Sequence, residues 1–343
     1  MSSIALPNGR LVGDYLAPYF VAELNTSHFG NLDTARSMID EAKAAGCDCV
    51  KFQSWSAESL YSEAYYRQNP IAKRMVTKFA LSDAELAELA AHCRAVGIDF
   101  ASTPYSHAEA EFLVATCRVP FLKVASMELN NLPYLAHLAG LGVPLVLSTG
   151  MGRLDEIVRA VETIEAAGNG EIVILHCTSV YPSPPETIRL RNIEGLREAF
   201  PAHPIGYSDH SLGSEIPAAA VALGACLIEK HFTLDSSKIG MDNQMATEPA
   251  DMARMIAACR TVHAALGGTE RLLSDAELAQ IPKMRRSVIA ARGLKAGEVL
   301  AAGDLETKRP GDGIPPTELA TLIGRTLARD VEAGALLARD DVA

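Results

Sequence analysis

Two histidines, two lysines and a series of hydroxyls recur in this 343-residue sequence at one kind of place, the last residues of short apolar runs. Glu23 ends the first such run, with Asn25 and His28 just beyond, and Lys51 and Gln53 lie in the second. Later runs carry Ser102 and Thr103, Lys123 and Ser126, and Ser148 and Thr149. The last three carry His176 followed by Thr178, Ser179 and Tyr181, then Ser208 followed by Asp209 and His210, then Glu229 and His231. His210 and His231 close consecutive runs, so adjacent parallel strands would bring two imidazoles together. With a carboxylate such as Glu23 or Asp242 they suit an open Mn²⁺, Fe²⁺ or Zn²⁺ site. His176 alternates with apolar neighbours and ranks behind them, as a core residue or a residue behind the ligands. A lysine inside an apolar strand needs an anionic partner, because desolvation penalises its charge. Lys51 and Lys123, with the hydroxyls of Ser126, Ser148 and Ser179, would hold a phosphate and a carboxylate together. Two other readings stay open for the lysines: a Schiff-base aldolase built on Lys123, and internal salt bridges to Glu23 and Glu229.

The elements that must position these groups alternate along the chain. Strand-like runs fall at 20–23, 49–53, 98–102, 121–125, 144–148, 172–176, 204–208 and 226–231. Helical stretches with apolar residues three and four apart lie at 33–45, 83–96, 108–116, 132–141 and 153–167. Asn31 or Asp33 can open the first helix, and Ser82 begins the capping box Ser-Asp-Ala-Glu. Eight such units predict a (β/α)₈ TIM barrel, α/β in class, with its chemistry at the C-terminal ends of the strands. No GxGxxG follows the first run, which weakens a dinucleotide-binding open sheet. The long excursion between the second and third runs, 54–78 followed by the helix 83–96, is a candidate lid or rim-facing loop.

The final residues read differently. The segment 292–305 is nearly repeated at 329–342, each copy holding an Ala-Gly turn, an apolar pair and a late Asp. Each half is too short to bury a core alone, so a pseudo-duplicated β-rich module is expected. The domain reading is a barrel over 1–266, a polar linker over 267–284 and a small cap over 285–343. A flat, Thr-rich binding face, as in a non-enzymatic glycan- or ice-binding protein, would need an array that Thr307, Thr317, Thr321 and Thr326 do not form.

Composition narrows the partners. A formal charge of −11 argues against the basic face that nucleic acid requires, while a local cluster can still hold a small anion. Seven scattered cysteines without a CxxC pair read as buried reduced thiols of a cytoplasmic protein. No run reaches the ~20 apolar residues of a membrane span, and the N-terminus lacks a signal peptide's apolar stretch.

The segments FVAELNTSHFGNL, AGCDCVKFQSW, DFASTPYS, FLKVAS, PLVLSTGM, ILHCTSVYPSP, IGYSDHS, IEKHFTLD and KRPGDGI occur in that order. Together they resemble the sialic acid synthases and related nonulosonic acid synthases, whose cap is a β-clip, antifreeze-like SAF domain. The resemblance implies a carbon–carbon bond-forming synthase that joins phosphoenolpyruvate to the aldehyde of an acetamido or diacetamido sugar, with C–O cleavage and phosphate release. It implies a divalent metal, Mn²⁺ with Mg²⁺ or Co²⁺ as alternatives, on His210 and His231. The phosphoenolpyruvate pocket would be Lys51, Thr103, Lys123, Ser126, Ser148, Ser179 and Ser208. Glu23 would assist the water or intermediate, and Gln53, Tyr181 and Asp242 would face the sugar and the metal-bound water. Arg309 would reach the sugar's acylamino group across a domain-swapped homodimer. The chain departs from the sialic acid branch where Asn25 replaces a Gly, Ser27 an Asn and Ser179 an Asn.

Overall fold

The apolar runs form strands that pair in parallel, each with the next, and close into a barrel. The computed structural model describes residues 2–343. A short antiparallel hairpin, β1 (Ser3–Ala5) and β2 (Leu11–Gly13), comes first. The barrel follows with β3 (Tyr19–Glu23), β4 (Cys49–Ser54), β5 (Asp99–Pro104) and β6 (Leu122–Val124). It continues with β7 (Leu145–Ser148), β8 (Ile172–Cys177), β9 (Ile205–Asp209) and β10 (Leu227–His231). Closure is the pairing of β10 with β3, which sets His231 opposite Glu23.

The pleat sorts each strand into two faces. Tyr19, Val21, Cys49, Ala101, Phe121, Val146, Val173, Leu175 and Leu227 pack together inside the barrel, joined by Ile4, Leu6 and Val12 around the N-terminal hairpin. The hairpin therefore stoppers the end of the barrel where the strands begin, and Asp14 ties it there by accepting the Ile205 N–H at 3.0 Å. Alternate residues such as Phe20, Phe52, Phe100, Leu122, Ile174 and Ile228 face the helices in the main core. Space inside is tight: an added Cβ at Gly206 would lie 2.6 Å from Leu175 Cδ2 and 2.8 Å from the Leu227 carbonyl oxygen.

Local signals act where the sequence places them. Asn31 caps the helix Leu32–Ala45 by accepting the Thr34 N–H, and Ser82 and Glu85 form the capping box of Asp83–Val96. The excursion between β4 and β5 is three short helices, Ala57–Leu60, Glu63–Gln68 and Pro70–Phe79. All seven cysteines are free and buried. No helix among the described residues is long and apolar enough to cross a membrane.

The chain divides at Gly267–Gly268. From Gly268 on, the stretch expected as a linker belongs to the second unit and contains two helical turns, Asp275–Leu278 and Ile281–Met284. In that unit β11 (Ser287–Ala290) pairs antiparallel with β12 (Leu305–Lys308). The duplicated segments make duplicate contacts. Arg292 Nε donates to Asp304 at 2.8 Å and Arg329 Nε donates likewise to Asp341, while each Asp accepts the N–H of the Ala three residues before it at 2.8 Å. Leu294 bridges Val331, so the two copies meet across a small apolar core.

His28 lies buried beyond β3, its Nδ1 accepting the Gly30 N–H at 3.1 Å and its ring beside Phe52. Burial pushes its pKa down from 6.5 to about 4. Between those values the unfolded chain holds a proton that the folded one rejects, so stability is full above pH 6.5 and falls as pH falls through this window. The expected loss is about 3 kcal/mol by about pH 4. Urea unfolding across that range should show a shallower acid slope in His28→Asn, which keeps an acceptor for Gly30; equal slopes would exclude His28 as the source. At the barrel interior, Gly206→Ala should cost about 1–3 kcal/mol by overpacking, read as a lower urea midpoint at unchanged slope.

Candidate active site

One step up the inward face from the apolar layer, the residue types change. A cavity of about 420 Å³ opens at the C-terminal ends of the strands. Glu23, Lys51, Gln53, Thr103, Lys123, Ser148, Ser208, Glu229 and His231 line it from the strands. Ser126, Ser179, Tyr181, His210 and Asp242 line it from the loops that follow them. Every barrel residue singled out for substrate or metal is therefore on this wall. Arg309 is carried on the second unit, exposed in the loop after β12. His176 is displaced by one residue of pleat. It faces the helix layer, its Nε2 2.6 Å from the Ile188 carbonyl oxygen and its ring stacked on Tyr207, so it does not join His210 and His231.

The lysines are paired, and the internal salt bridges allowed by the sequence are present. Lys51 Nζ lies 2.7 Å from Glu23 and 3.1 Å from Glu229. Lys123 Nζ donates to Ser148 Oγ at 2.7 Å and stands 3.8 Å from Glu229, which also accepts the Ser208 hydroxyl at 2.9 Å. Burial alone would raise the Glu229 carboxyl, but the charges of Lys123 and Lys51 overcome it and hold it well below the usual carboxylate range. Burial pushes Lys51 down to about 7, opposed by Glu229 and reinforced by Lys123. Two lysines and two carboxylates thus share one cluster with little net charge.

Glu23 is held from three sides. One oxygen meets Lys51, and the other accepts the Asn25 backbone N–H at 3.1 Å and the Gln53 side-chain N–H at 3.0 Å. Gln53 in turn accepts the Tyr105 hydroxyl at 2.7 Å. Asn25 has φ of 40°, a left-handed conformation that Asn tolerates better than most residues. Its amide donates to Asp242, so the residue replacing a Gly of the sialic acid branch fixes a carboxylate across the cavity mouth.

His210 and His231 have ring centroids 5.4 Å apart, with Tyr181 4.2 Å from the first and 6.0 Å from the second. His210 Nδ1 sits 2.8 Å from the Thr178 carbonyl oxygen; that acceptor fixes the proton on Nδ1 and leaves Nε2 its lone pair. Burial, reinforced by the charge of Lys51, holds His231 far below its usual pKa, in the neutral form a ligand requires. Among the described residues no three His, Cys, Asp or Glu side chains gather around one point. Two imidazoles can supply only part of an ion's coordination, so any ion held here would need donors from elsewhere.

The sequence reading assigned no role to Tyr105, Trp55, Cys177 or Gly150. Trp55 lines the wall beside Leu60 and Tyr61 of the excursion, so that segment does face the cavity. Cys177 lies on the inward face of β8 with Sγ 3.9 Å from His210. A Cβ at Gly150 would fall 2.2 Å from Ser179 Oγ and 2.9 Å from Ser126 Oγ, so glycine keeps a hollow open between those hydroxyls. The signal for Tyr105 was its place two residues past Thr103, on the same side of the pleat.

Comparison with known proteins identifies the family and both domains. The NeuB family matches residues 38–271 and the SAF domain residues 285–343. The N,N'-diacetyllegionaminic acid synthase of Legionella pneumophila is 36% identical over 338 residues, 95% of this chain and 94% of that protein. The human N-acetylneuraminate-9-phosphate synthase is 35% identical over 334 residues, 94% and 92% of the two chains. The crystal structure of N-acetylneuraminic acid synthetase from Leptospira borgpetersenii has a TM-score of 0.76 at 31% identity, covering 82% of this chain and 95% of that one. Such relatives are enzymes, and the chain belongs to the NeuB family of nonulosonic acid synthases, with a C-terminal SAF domain.

Proposed function

We propose that the protein condenses phosphoenolpyruvate with the open-chain aldehyde of an N-acetylmannosamine-type or diacetamido hexose to give a nonulosonic acid and phosphate. The observation that carries this reading is the joining, on one wall, of a lysine–serine anion cradle with a pair of imidazoles held ready as ligands. The new bond joins C3 of the enol to the aldehyde carbon; water adds at C2, and the C2–O bond breaks as phosphate leaves. Lys123, Ser126, Ser148 and Ser179 would bind the acid, with Thr103, Ser208 and Lys51 bordering it. Glu23, fixed by Lys51, Gln53 and Asn25, is placed to take the proton of the attacking water. Gln53, Tyr181 and Asp242 would orient the sugar.

His210 and His231 would hold a divalent ion, Mn²⁺ with Mg²⁺ or Co²⁺ as substitutes, and its Lewis acidity would polarise the aldehyde. The charge balance supports that role. With the two lysines already paired to two carboxylates, added cationic charge favours entry of a polyanion. A domain-swapped homodimer would complete the site with Arg309 from the partner chain at the sugar's acylamino group.

Phosphate release from phosphoenolpyruvate should require both an acetamido sugar and a divalent ion, and borohydride should trap no pyruvate adduct on Lys123. His231→Ala should lose more than about a hundredfold in turnover; full activity in that variant, or in metal-stripped enzyme, would remove the ion from the reaction. Mixing His231→Ala with Arg309→Ala chains should restore turnover, because one site of the swapped heterodimer carries neither substitution. A mixture as inactive as its components would exclude the shared site.

A further inference from the structure

The amide of Gln53 stands between two groups that demand opposite things of it. On one side is Glu23 Oε1, an acceptor, because its carboxylate is paired with Lys51. On the other is the Tyr105 hydroxyl, 2.7 Å from Gln53 Oε1. Burial pushes the Tyr105 phenol above its usual pKa, so it stays a donor throughout the working range. A side-chain amide has one acceptor end and one donor end, so fixing either fixes both. Turned over, Gln53 would set its own oxygen against the carboxylate of Glu23, now met by its N–H at 3.0 Å. The Tyr105 ring is itself held edge-on against Trp55, centroids 5.7 Å apart.

We propose that Tyr105 is a positioning residue for the condensation: by donating to Gln53 it locks that amide with its N–H toward Glu23, and so fixes the carboxylate that handles the water proton. The inference rests on the reaction proposed above. Tyr105 touches neither Glu23 nor any other ion pair at the cavity floor through its hydroxyl, and its effect runs through Gln53 alone. Removing the hydroxyl leaves the ring and its packing in place and frees the amide to turn.

The test uses the full-length protein and the acetamido hexose that sustains wild-type phosphate release. Tyr105→Phe should lower kcat about tenfold and leave KM for phosphoenolpyruvate unchanged, since one neutral hydrogen bond is lost and the anion cradle is untouched. In a Gln53→Ala background the same change should have no further effect. Independent, multiplying losses in the double variant, or a loss confined to KM, would overturn the proposal. A second readout needs no substrate. The side-chain amide ¹H–¹⁵N signals of Gln53, assigned by their disappearance in Gln53→Ala, should be sharp and slowly exchanging in the wild type and broadened in Tyr105→Phe. Identical signals in the two proteins would refute the lock even if no sugar were turned over, whereas a locked amide in a wild type that turns over no acetamido sugar would refute the reaction and not the lock.

Discussion

The polar end of the barrel depends on one ammonium group. Lys51, on β4, reaches Glu23 on β3 and Glu229 on β10, three strands that are consecutive around the barrel and span its closure. None of these charges is tolerable there alone, since a buried ion that loses its partner costs several kcal/mol. Together they are affordable because each has more than one partner: Glu229 also meets Lys123 and Ser208, and Glu23 meets Gln53 and the Asn25 N–H. The network is thus a structural keystone and part of the cavity wall at once. A substitution at any member disturbs both roles.

From that centre, orientation spreads outward by directed hydrogen bonds. Lys51 meets one oxygen of Glu23, and Gln53, two residues along the same strand and itself met by the Tyr105 hydroxyl, donates to the other. Asn25 reaches across to Asp242, tying the loop after β10 to the loop after β3. His210 is aimed by a backbone carbonyl and so does not depend on another side chain. Glu23, Lys51, Gln53, Glu229 and His231 rest on strands, whereas His210, Tyr181 and Asp242 rest on the loops that follow them, so the ion-pair floor is fixed by the barrel itself.

Much of this was legible because a strand has a period of two. Lys51 and Gln53, or Glu229 and His231, are same-face neighbours on sight, and eight polar run-endings already implied one rim. Strands buried on both faces do not announce which face is which. His176 and Cys177 look alike in sequence, and only the parity set by Val173 and Leu175 turns the histidine toward the helices and the thiol inward. The hairpin of β1 and β2 went unread because three-residue strands leave no periodic trace. Tyr105 and Asn25 went unassigned for another reason: their partners are 52 and 217 residues away. The competing readings of the lysines could not be separated by residue type, since a salt bridge and an anion site ask for the same side chains.

The stopper of Ile4, Leu6 and Val12 has a consequence for traffic. It makes the barrel a cul-de-sac, with reactants and products passing through one mouth. Lys123 and Ser148 lie deep, on the strands, whereas Tyr181 and Asp242 stand on the loops at the entrance. A molecule seated at the mouth bars the way to the floor, so whatever binds at Lys123 and Ser148 must enter before whatever binds at Tyr181 and Asp242. Release is constrained in the same way: whatever remains on the floor waits until the mouth has cleared.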